Sequence, residues 1–255
     1  MLVDSHCHLN YPGLVEDEAG VLERARSRGV RGFLNISTRQ SEWGDVLAAA
    51  ERHADVWAAI GVHPHEADKH PDLGSLALVE AASHPRVVAL GECGLDYYYD
   101  KSDRAAQRDR FRAHIAAARE TGLPLVIHTR DAEEDTIAIL KEEPGITGVL
   151  HCFTGSQWLA YQGLQLGFFV SLSGIVTFKN AKDLQEVAKS IPPDRLLVET
   201  DAPFLAPVPN RGKTCEPAFV ADTATFVAEL RGEDVDQLCQ RTTANFFRLF
   251  PRAAA

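Results

Sequence analysis

The chain has 255 residues, 45% of them hydrophobic and 24% charged, with a formal net charge of −10 at pH 7. The composition is ordinary for a globular enzyme, and α/β barrels routinely reach about 250 residues as one unit. The acidic balance argues against a sequence-independent grip on phosphate backbones, but it leaves room for a local cationic site, because bound metal ions can supply positive charge where it is needed.

Short apolar runs alternate with amphipathic stretches from one end to the other. Leu2 and Val3 open the first run, which leads into Ser5-His6-Cys7-His8. A helix is expected over 16–28, with Val21, Leu22 and Ala25 on one face and Gly29 as its stop. A second run begins near Gly32, a helix over 41–53 follows, and a third run begins at Val56. The fourth run starts at Val87 and ends at Glu92. The longest helix is expected over 103–121, with Phe111, Ile115 and Ala118 at helical spacing before Gly122 and Pro124. Runs near Pro124, Gly148, Gly167 and Leu196 complete eight, with helices expected over 131–142, 156–166 and 181–190 between them. A helical pair over 217–230 and 235–250 closes the chain. The runs are continuously apolar rather than alternating, as parallel strands covered on both faces must be.

Eight strand–helix units without a linker or repeat point to a single α/β domain over 1–255, a (β/α)8 TIM barrel. The competing architecture is a doubly wound open sheet. No Gly-rich dinucleotide or P-loop fingerprint follows the first strand, which weakens that alternative and calls for no organic cofactor. The Pro-rich stretch 202–209 reads as an ordered loop at the barrel mouth. Residues 156–178 contain no Asp, Glu, Lys or Arg, but Gln and Gly residues interrupt them; a helix followed by a buried strand is expected, not a membrane span. Five cysteines in no small-domain spacing, and no basic-then-apolar N-terminal stretch, lead to the expectation of a reduced, cytoplasmic protein.

Ligand-type residues recur at the ends of these strands. His6 and His8 follow the first, His63 the third; Glu92 ends the fourth, His128 the fifth and His151 the sixth; Asp201 follows the eighth. All fall at C-terminal strand ends, where barrel active sites are built. Residues two apart on a strand share a side, so His6 and His8 present two imidazoles together. Four imidazoles (His6, His8, His128, His151) and two carboxylates (Glu92, Asp201) give about three ligands for each of two divalent ions. Glu92, central in strand order, is the natural bridge. A mixed nitrogen and oxygen shell suits Zn, Mn, Fe or Co better than Ca. Each residue alone also has a structural explanation, as a satisfied buried histidine or a turn cap. His63 could contact substrate, support a ligand or only pack, and His65 reads as loop filler. Cys7, Cys93 and Cys152 adjoin expected ligands, but strand alternation turns a neighbour to the opposite side, which makes them packing residues. Arg130, Lys179, Arg211 and Lys213 lie at mouth loops, where they could meet a phosphate or serve as solvated charges.

The motifs DSHCHLN (4–10), GVHPH (61–65), GECGLDYYYD (91–100), LPLVIHTRDA (123–132), HCFTGS (151–156), SLSGIVTFKNA (171–181), LLVETDAPFLAP (196–207), RGKTCEPAFV (211–220) and TTANFFRLF (242–250) cover nearly the whole chain. On them the chain resembles the TatD family of metal-dependent deoxyribonucleases, among the amidohydrolase-like barrels. The resemblance implies a two-metal centre that hydrolyses DNA phosphodiesters, often from the 3′ end. It implies one ion, Zn, Mg, Mn or similar, on His6, His8, Glu92 and Asp201, and another on Glu92, His128 and His151. His63 matches a family histidine near the substrate. Cys215 departs from the family, which usually has Asn before Glu-Pro.

The expected activity is therefore a 3′–5′ exonuclease acting on single-stranded or frayed DNA ends. A metal-held hydroxide would serve as nucleophile, Asp201 and Glu92 would be the catalytic carboxylates, and His63, Arg130 and Arg211 would meet the substrate. No membrane partner is expected, and the oligomeric state is left open. Two rivals stand beside this reading. One is a barrel hydrolase of an ester or amide, such as an aminoacyl-tRNA deacylase, although related barrels often bridge their metals with a carboxylated lysine where Glu92 stands here. The other is a non-catalytic metal-binding or nucleic-acid-binding protein.

Overall fold

Apolar strands buried on both faces pair in parallel only if helices return the chain across the outside. The computed structural model describes residues 1–254 and has this arrangement; the last residue of the expected unit, 255, lies outside the described residues. The strands are β1 (Leu2–Cys7), β2 (Val30–Ile36), β3 (Val56–Ile60), β4 (Val87–Asp96), β5 (Leu125–Arg130), β6 (Gly148–Leu150), β7 (Phe169–Leu172) and β8 (Leu196–Val198). They form one sheet in sequence order, and every neighbouring pair is parallel. The helices are α1 (Glu18–Ser27), α2 (Trp43–Arg52), α3 (Ser75–Ala82), α4 (Arg104–Thr121), α5 (Glu133–Glu142), α6 (Gln157–Gln165), α7 (Lys182–Ser190), α8 (Val220–Arg231) and α9 (Val235–Leu249).

The sheet closes between β1 and the segment after β8. The His8 amide donates to the Ala202 carbonyl at 2.8 Å, and the Asp201 amide donates to His6 at 2.9 Å. Below them the buried Asp4 carboxylate accepts from the Thr200 amide (2.9 Å) and hydroxyl (2.6 Å). The Pro-rich stretch after β8 is thus an ordered part of the mouth, tied to β1 at its first residue. No described helix is long and apolar enough to cross a membrane. The uncharged stretch 156–178 supplies α6 and β7 instead.

Alternation along the strands builds two cores. One face sends Val3, Leu34, Trp57, Val88, Val126, Val149, Phe169 and Leu197 into a cluster that Phe246, Leu249 and Phe250 of α9 and the residue after it also join. The opposite face joins the helices in a larger cluster. Two residues beyond Val126 comes His128, and two beyond Val149 comes His151. The pleat that points these valines inward therefore carries the imidazoles to the same side at the mouth.

The helix ends follow local chemistry. The Asp103 carboxylate accepts from the amides of Ala105 and Ala106 at the start of α4, and Gly122, at φ +70°, ends it. Such a cap contributes about 1 kcal/mol. Two elements differ from expectation. The sequence pattern gave no helix between the third and fourth strands, yet α3 is there, preceded by a 3-10 helix at Pro64–Lys69. It has only eight residues, between Pro71 and Gly74 on one side and Pro85 on the other, too few turns for a clear period. The fourth strand also does not stop at Glu92. A register shift between Leu90 and Cys93 lets β4 continue to Asp96.

Gly94 makes that continuation possible. Its φ is +124°, and a Cβ there would overlap the His128 carbonyl. Strain at such a backbone position belongs with the strongly destabilising mechanisms. Gly94→Ala is expected to cost about 3 kcal/mol, a fall of roughly 6–12 °C in Tm for a chain of this size; a melt within 2 °C of wild type, by about the same scaling, would refute the close-approach account.

Candidate metal centre

One carboxylate organises the mouth. Glu92 lies on β4, its amide donating to Ser37 at 3.1 Å, and its side chain is 4% exposed. Its two oxygens face different partners. Oε2 lies 3.5 Å from His6 Nε2 and 3.9 Å from His8 Nε2. Oε1 lies 2.8 Å from His151 Nε2, 3.2 Å from His63 Nε2 and 3.3 Å from His128 Nδ1. Asp201 completes the first group, with Oδ1 3.5 Å from His6 Nε2 and 3.4 Å from His8 Nε2. The six residues expected as ligands thus converge, and His63 joins them. Compact sets of candidate ligand atoms include His6, His8 and Glu92, and separately His63, Glu92 and His128.

The outer partners of the rings set which nitrogen carries the proton. A carbonyl accepts from a ring N–H, and a carboxylate does the same. His8 Nδ1 meets the Ile36 carbonyl at 2.9 Å, His128 Nε2 meets Asp96 Oδ2 at 2.9 Å, and His151 Nδ1 meets Glu199 Oε1 at 3.2 Å. In their neutral form these rings leave the inner nitrogen as a ligand atom facing Glu92 or Asp201. Burial alone would lower their pKa values, but the carboxylates around them outweigh it, raising those of His8 and His128 and lifting that of His151 well above the ordinary value. His63 is the opposite case. Its Nδ1 accepts the His65 amide at 3.0 Å, so in the neutral ring Nε2 holds the proton and donates toward Glu92. Burial pushes the His63 pKa down to about 4, against the pull of Glu92, which keeps the ring neutral near pH 7.

This donor set fits divalent cations. His6 Nε2 and His8 Nε2 lie 3.2 Å apart, within hydrogen-bond reach of each other, with two carboxylate oxygens beside them. His6 Nδ1 is buried without a hydrogen-bond partner, and its ring stacks on His151 at 3.9 Å. Two imidazoles and two carboxylates converging on one point compose a mixed nitrogen and oxygen donor set that a divalent cation satisfies. The carboxylates are kept ionised for the purpose. Burial alone would push the Glu92 carboxyl up, but His151 and His63 outweigh it and hold it well below the ordinary range. Asp201 is likewise lowered, burial being overcome by His8 and His6.

Sequence reasoning missed three groups. Asp96 and Glu199, just described, brace His128 and His151. His65, expected as loop filler, instead contributes its amide to His63 and sets its ring Nε2 2.9 Å from Asp96 Oδ2, close but not aligned as a hydrogen bond. The signal for Glu199 was present: it lies two residues beyond the inward Leu197. Asp96 lies four beyond Glu92 on one strand. The cysteines stand aside from the ligand sets found among the described residues. Burial raises the thiols of Cys7, Cys93 and Cys152 well above their usual range, and Cys7 and Cys93 are core residues. Around the mouth, Arg130 stacks over Tyr98 at 4.1 Å and Arg211 over Phe178 at 3.8 Å. Lys213 donates to Asn210, Lys179 is exposed, and Cys215 is buried with its amide on Pro203.

Comparison with known proteins agrees with this geometry. A family model for TatD related DNase matches residues 3–251. The chain is 46% identical over 254 residues to an uncharacterized metal-dependent hydrolase, YcfH, of Escherichia coli K12, a match covering 98% of this chain and 95% of that one. It is 38% identical over 257 residues to a protein of Erwinia tasmaniensis named 3′-5′ ssDNA/RNA exonuclease TatD, covering 98% and 99%. The crystal structure of YJJV, a TatD homologue from Escherichia coli K12, superposes with a TM-score of 0.92 at 31% identity over 98% of each chain. An organophosphorus hydrolase variant, at 18% identity and a TM-score of 0.68, shares the barrel fold. The chain belongs to the TatD family of metal-dependent hydrolases.

Proposed function

We propose that the protein is a two-metal phosphodiesterase that trims DNA from the 3′ end, acting on single-stranded or frayed termini. The observation that carries this reading is Glu92, whose separate oxygens serve two groups of imidazoles. His6, His8, Glu92 and Asp201 would hold one dication, and Glu92, His128 and His151 the other. When bound, the pair would acidify water and neutralise charge on phosphoryl oxygens. The relative named as a 3′-5′ exonuclease supports the substrate and polarity. Five free cysteines support residence in the reducing cytoplasm, with the whole chain acting as one catalytic domain.

The side chains divide the remaining work. Asp201 is the more accessible cage carboxylate, 16% exposed against 4% for Glu92. It stays ionised beside His6 and His8, so it accepts the proton of the attacking water. The water oxygen bonds to phosphorus as the bond to the 3′ oxygen breaks, and the departing 3′ oxygen takes up a proton, from Asp201 or from solvent, to leave as a hydroxyl. Glu92, with both oxygens engaged, anchors and does not shuttle protons. His63, neutral with its proton on Nε2, donates a hydrogen bond to a phosphoryl oxygen where negative charge develops. Arg130 and Arg211 hold flanking phosphates.

Asp201 has φ +61°, a conformation that Asn tolerates better than most residues, so Asp201→Asn isolates the chemistry. Its kcat on labelled single-stranded DNA should fall by about 10³-fold or more with an unchanged circular dichroism spectrum. Near-wild-type turnover would remove Asp201 as the base, and cleavage of aminoacyl-tRNA or a simple amide in place of DNA would replace the substrate. Elemental analysis should find two dications per chain in wild type and fewer in Glu92→Gln; a variant that keeps both ions would show that Glu92 is not the shared ligand. Chelation should abolish hydrolysis, with recovery on adding Mg or Mn.

A further inference from the structure

Every arginine except two spends its guanidinium inside the protein, on a carboxylate or a backbone carbonyl. The exceptions among the described residues are Arg130 and Arg211, and both lie on aromatic rings at the barrel mouth. Arg130, the last residue of β5, sits 4.1 Å from the Tyr98 ring and 4.7 Å from the Tyr99 ring. Tyr98 remains 56% exposed, so the guanidinium covers only part of it. A recess of about 250 Å³ opens beside the pair, lined also by Thr129, Asp131, Glu133, Thr154 and Gly155; neither carboxylate pairs with the guanidinium, and that of Glu133 is taken up by Ser156. This recess adjoins His128 and His151 along the chain, and a larger cavity of about 620 Å³, toward α5 and α6, shares Asp131 and Glu133 with it.

A guanidinium stacked on a ring is held flat with its N–H edges free, the geometry that accepts a phosphate in two parallel hydrogen bonds. Placing such a group without a carboxylate partner in a chain of net charge −10 favours an anion at that spot. An exposed ring beside it offers a face to a base, but only to one that is not already paired and stacked in a duplex. We propose that Tyr98 and Arg130 form a nucleotide subsite that selects unpaired strands, with Tyr98 stacking a base and Arg130 taking the adjoining phosphate, and that Arg211 on Phe178 takes a second phosphate across the mouth. The proposal rests on the nuclease reading above and names what in this chain sets its preference for single strands.

The test is fluorescence anisotropy with the metal-loaded protein and a fluorescein-labelled phosphorothioate oligothymidylate, which resists cleavage. Tyr98→Ala and Arg130→Ala should each weaken binding about tenfold, while Tyr98→Phe keeps it. An abasic strand of equal length should bind weakly and be indifferent to Tyr98→Ala, and blunt duplex should bind weakly too. Arg130→Ala or Arg211→Ala should each lower the slope of log Kd against log salt by about 0.7, the contribution of one phosphate contact in a single strand. Tm and metal content of each variant must match wild type, which exposed side chains permit. Wild-type affinity in Tyr98→Ala and Arg130→Ala, equal loss on the abasic strand, preference for duplex, or no binding of the strand by wild type would each overturn the proposal. The two readings fail separately. Binding lost in the variants without any cleavage by wild type would leave the subsite and remove the nuclease; cleavage by wild type with unaltered binding in the variants would do the reverse.

Discussion

Two carboxylates, buried Glu92 and half-buried Asp201, and five imidazoles share one small volume at the barrel mouth, and their charges must balance there. An ionised carboxylate taken out of water costs several kcal/mol unless partners replace its hydration. Glu92 meets this requirement by dividing its oxygens, Oε2 toward His6 and His8, Oε1 toward His63, His128 and His151. No single strand could supply that many partners at once. Closing the sheet brings β1, β4, β5, β6 and the segment after β8 around one point. The hydrogen bonds that close it, from Asp201 to His6 and from His8 to Ala202, join candidate ligands or their neighbours. Closure of the fold and assembly of the site are therefore the same event.

A second layer decides what the first can do. Asp96, Glu199 and the Ile36 carbonyl each meet the outer nitrogen of a ring and take its proton when the inner nitrogen serves as a ligand atom. Such outer partners fix tautomer and orientation and raise ligand basicity. The backbone amide of His65 does the opposite to His63. In their neutral forms four rings at the mouth thus divide three to one between acceptor and donor, although all four lie close to a carboxylate. Distance alone would group His63 with His128; the hydrogen bond on the far side of the ring separates them.

Much of this was legible in the sequence because barrel strands carry a simple code. Continuous apolar runs announced eight buried strands, and their C-terminal ends located His6, His8, Glu92, His128, His151 and Asp201. What stayed hidden has physical reasons. Helix α3 is short and bracketed by Pro and Gly, so its period had no room to show. Asp96 lay beyond the point where β4 was expected to stop, because the irregular strand passes two glycines and shifts register. Glu199 followed the inward alternation from Leu197 but was masked by Asp201, the more conspicuous acid two residues on. His65 acts partly through its backbone amide, and an amide leaves no trace in residue type.

The acidic net charge finds its place in the same picture. Most of the basic side chains are spent on surface pairs such as Arg52 with Glu18 and Arg28 with Asp222, each worth little in water. They add no field that would draw a polyanion to the surface at large. On the proposed reading attraction would instead be local, from dications held in the cage and from two guanidiniums stacked on rings at its rim. A duplex lying across an acidic surface would gain few contacts and meet repulsion over many phosphates, whereas a single strand entering the mouth passes its phosphates near the only unspent arginines among the described residues. On the proposed reading, net charge and site chemistry, which looked opposed in the composition, would work together: the surface discourages long duplex contacts, and the mouth accepts an end.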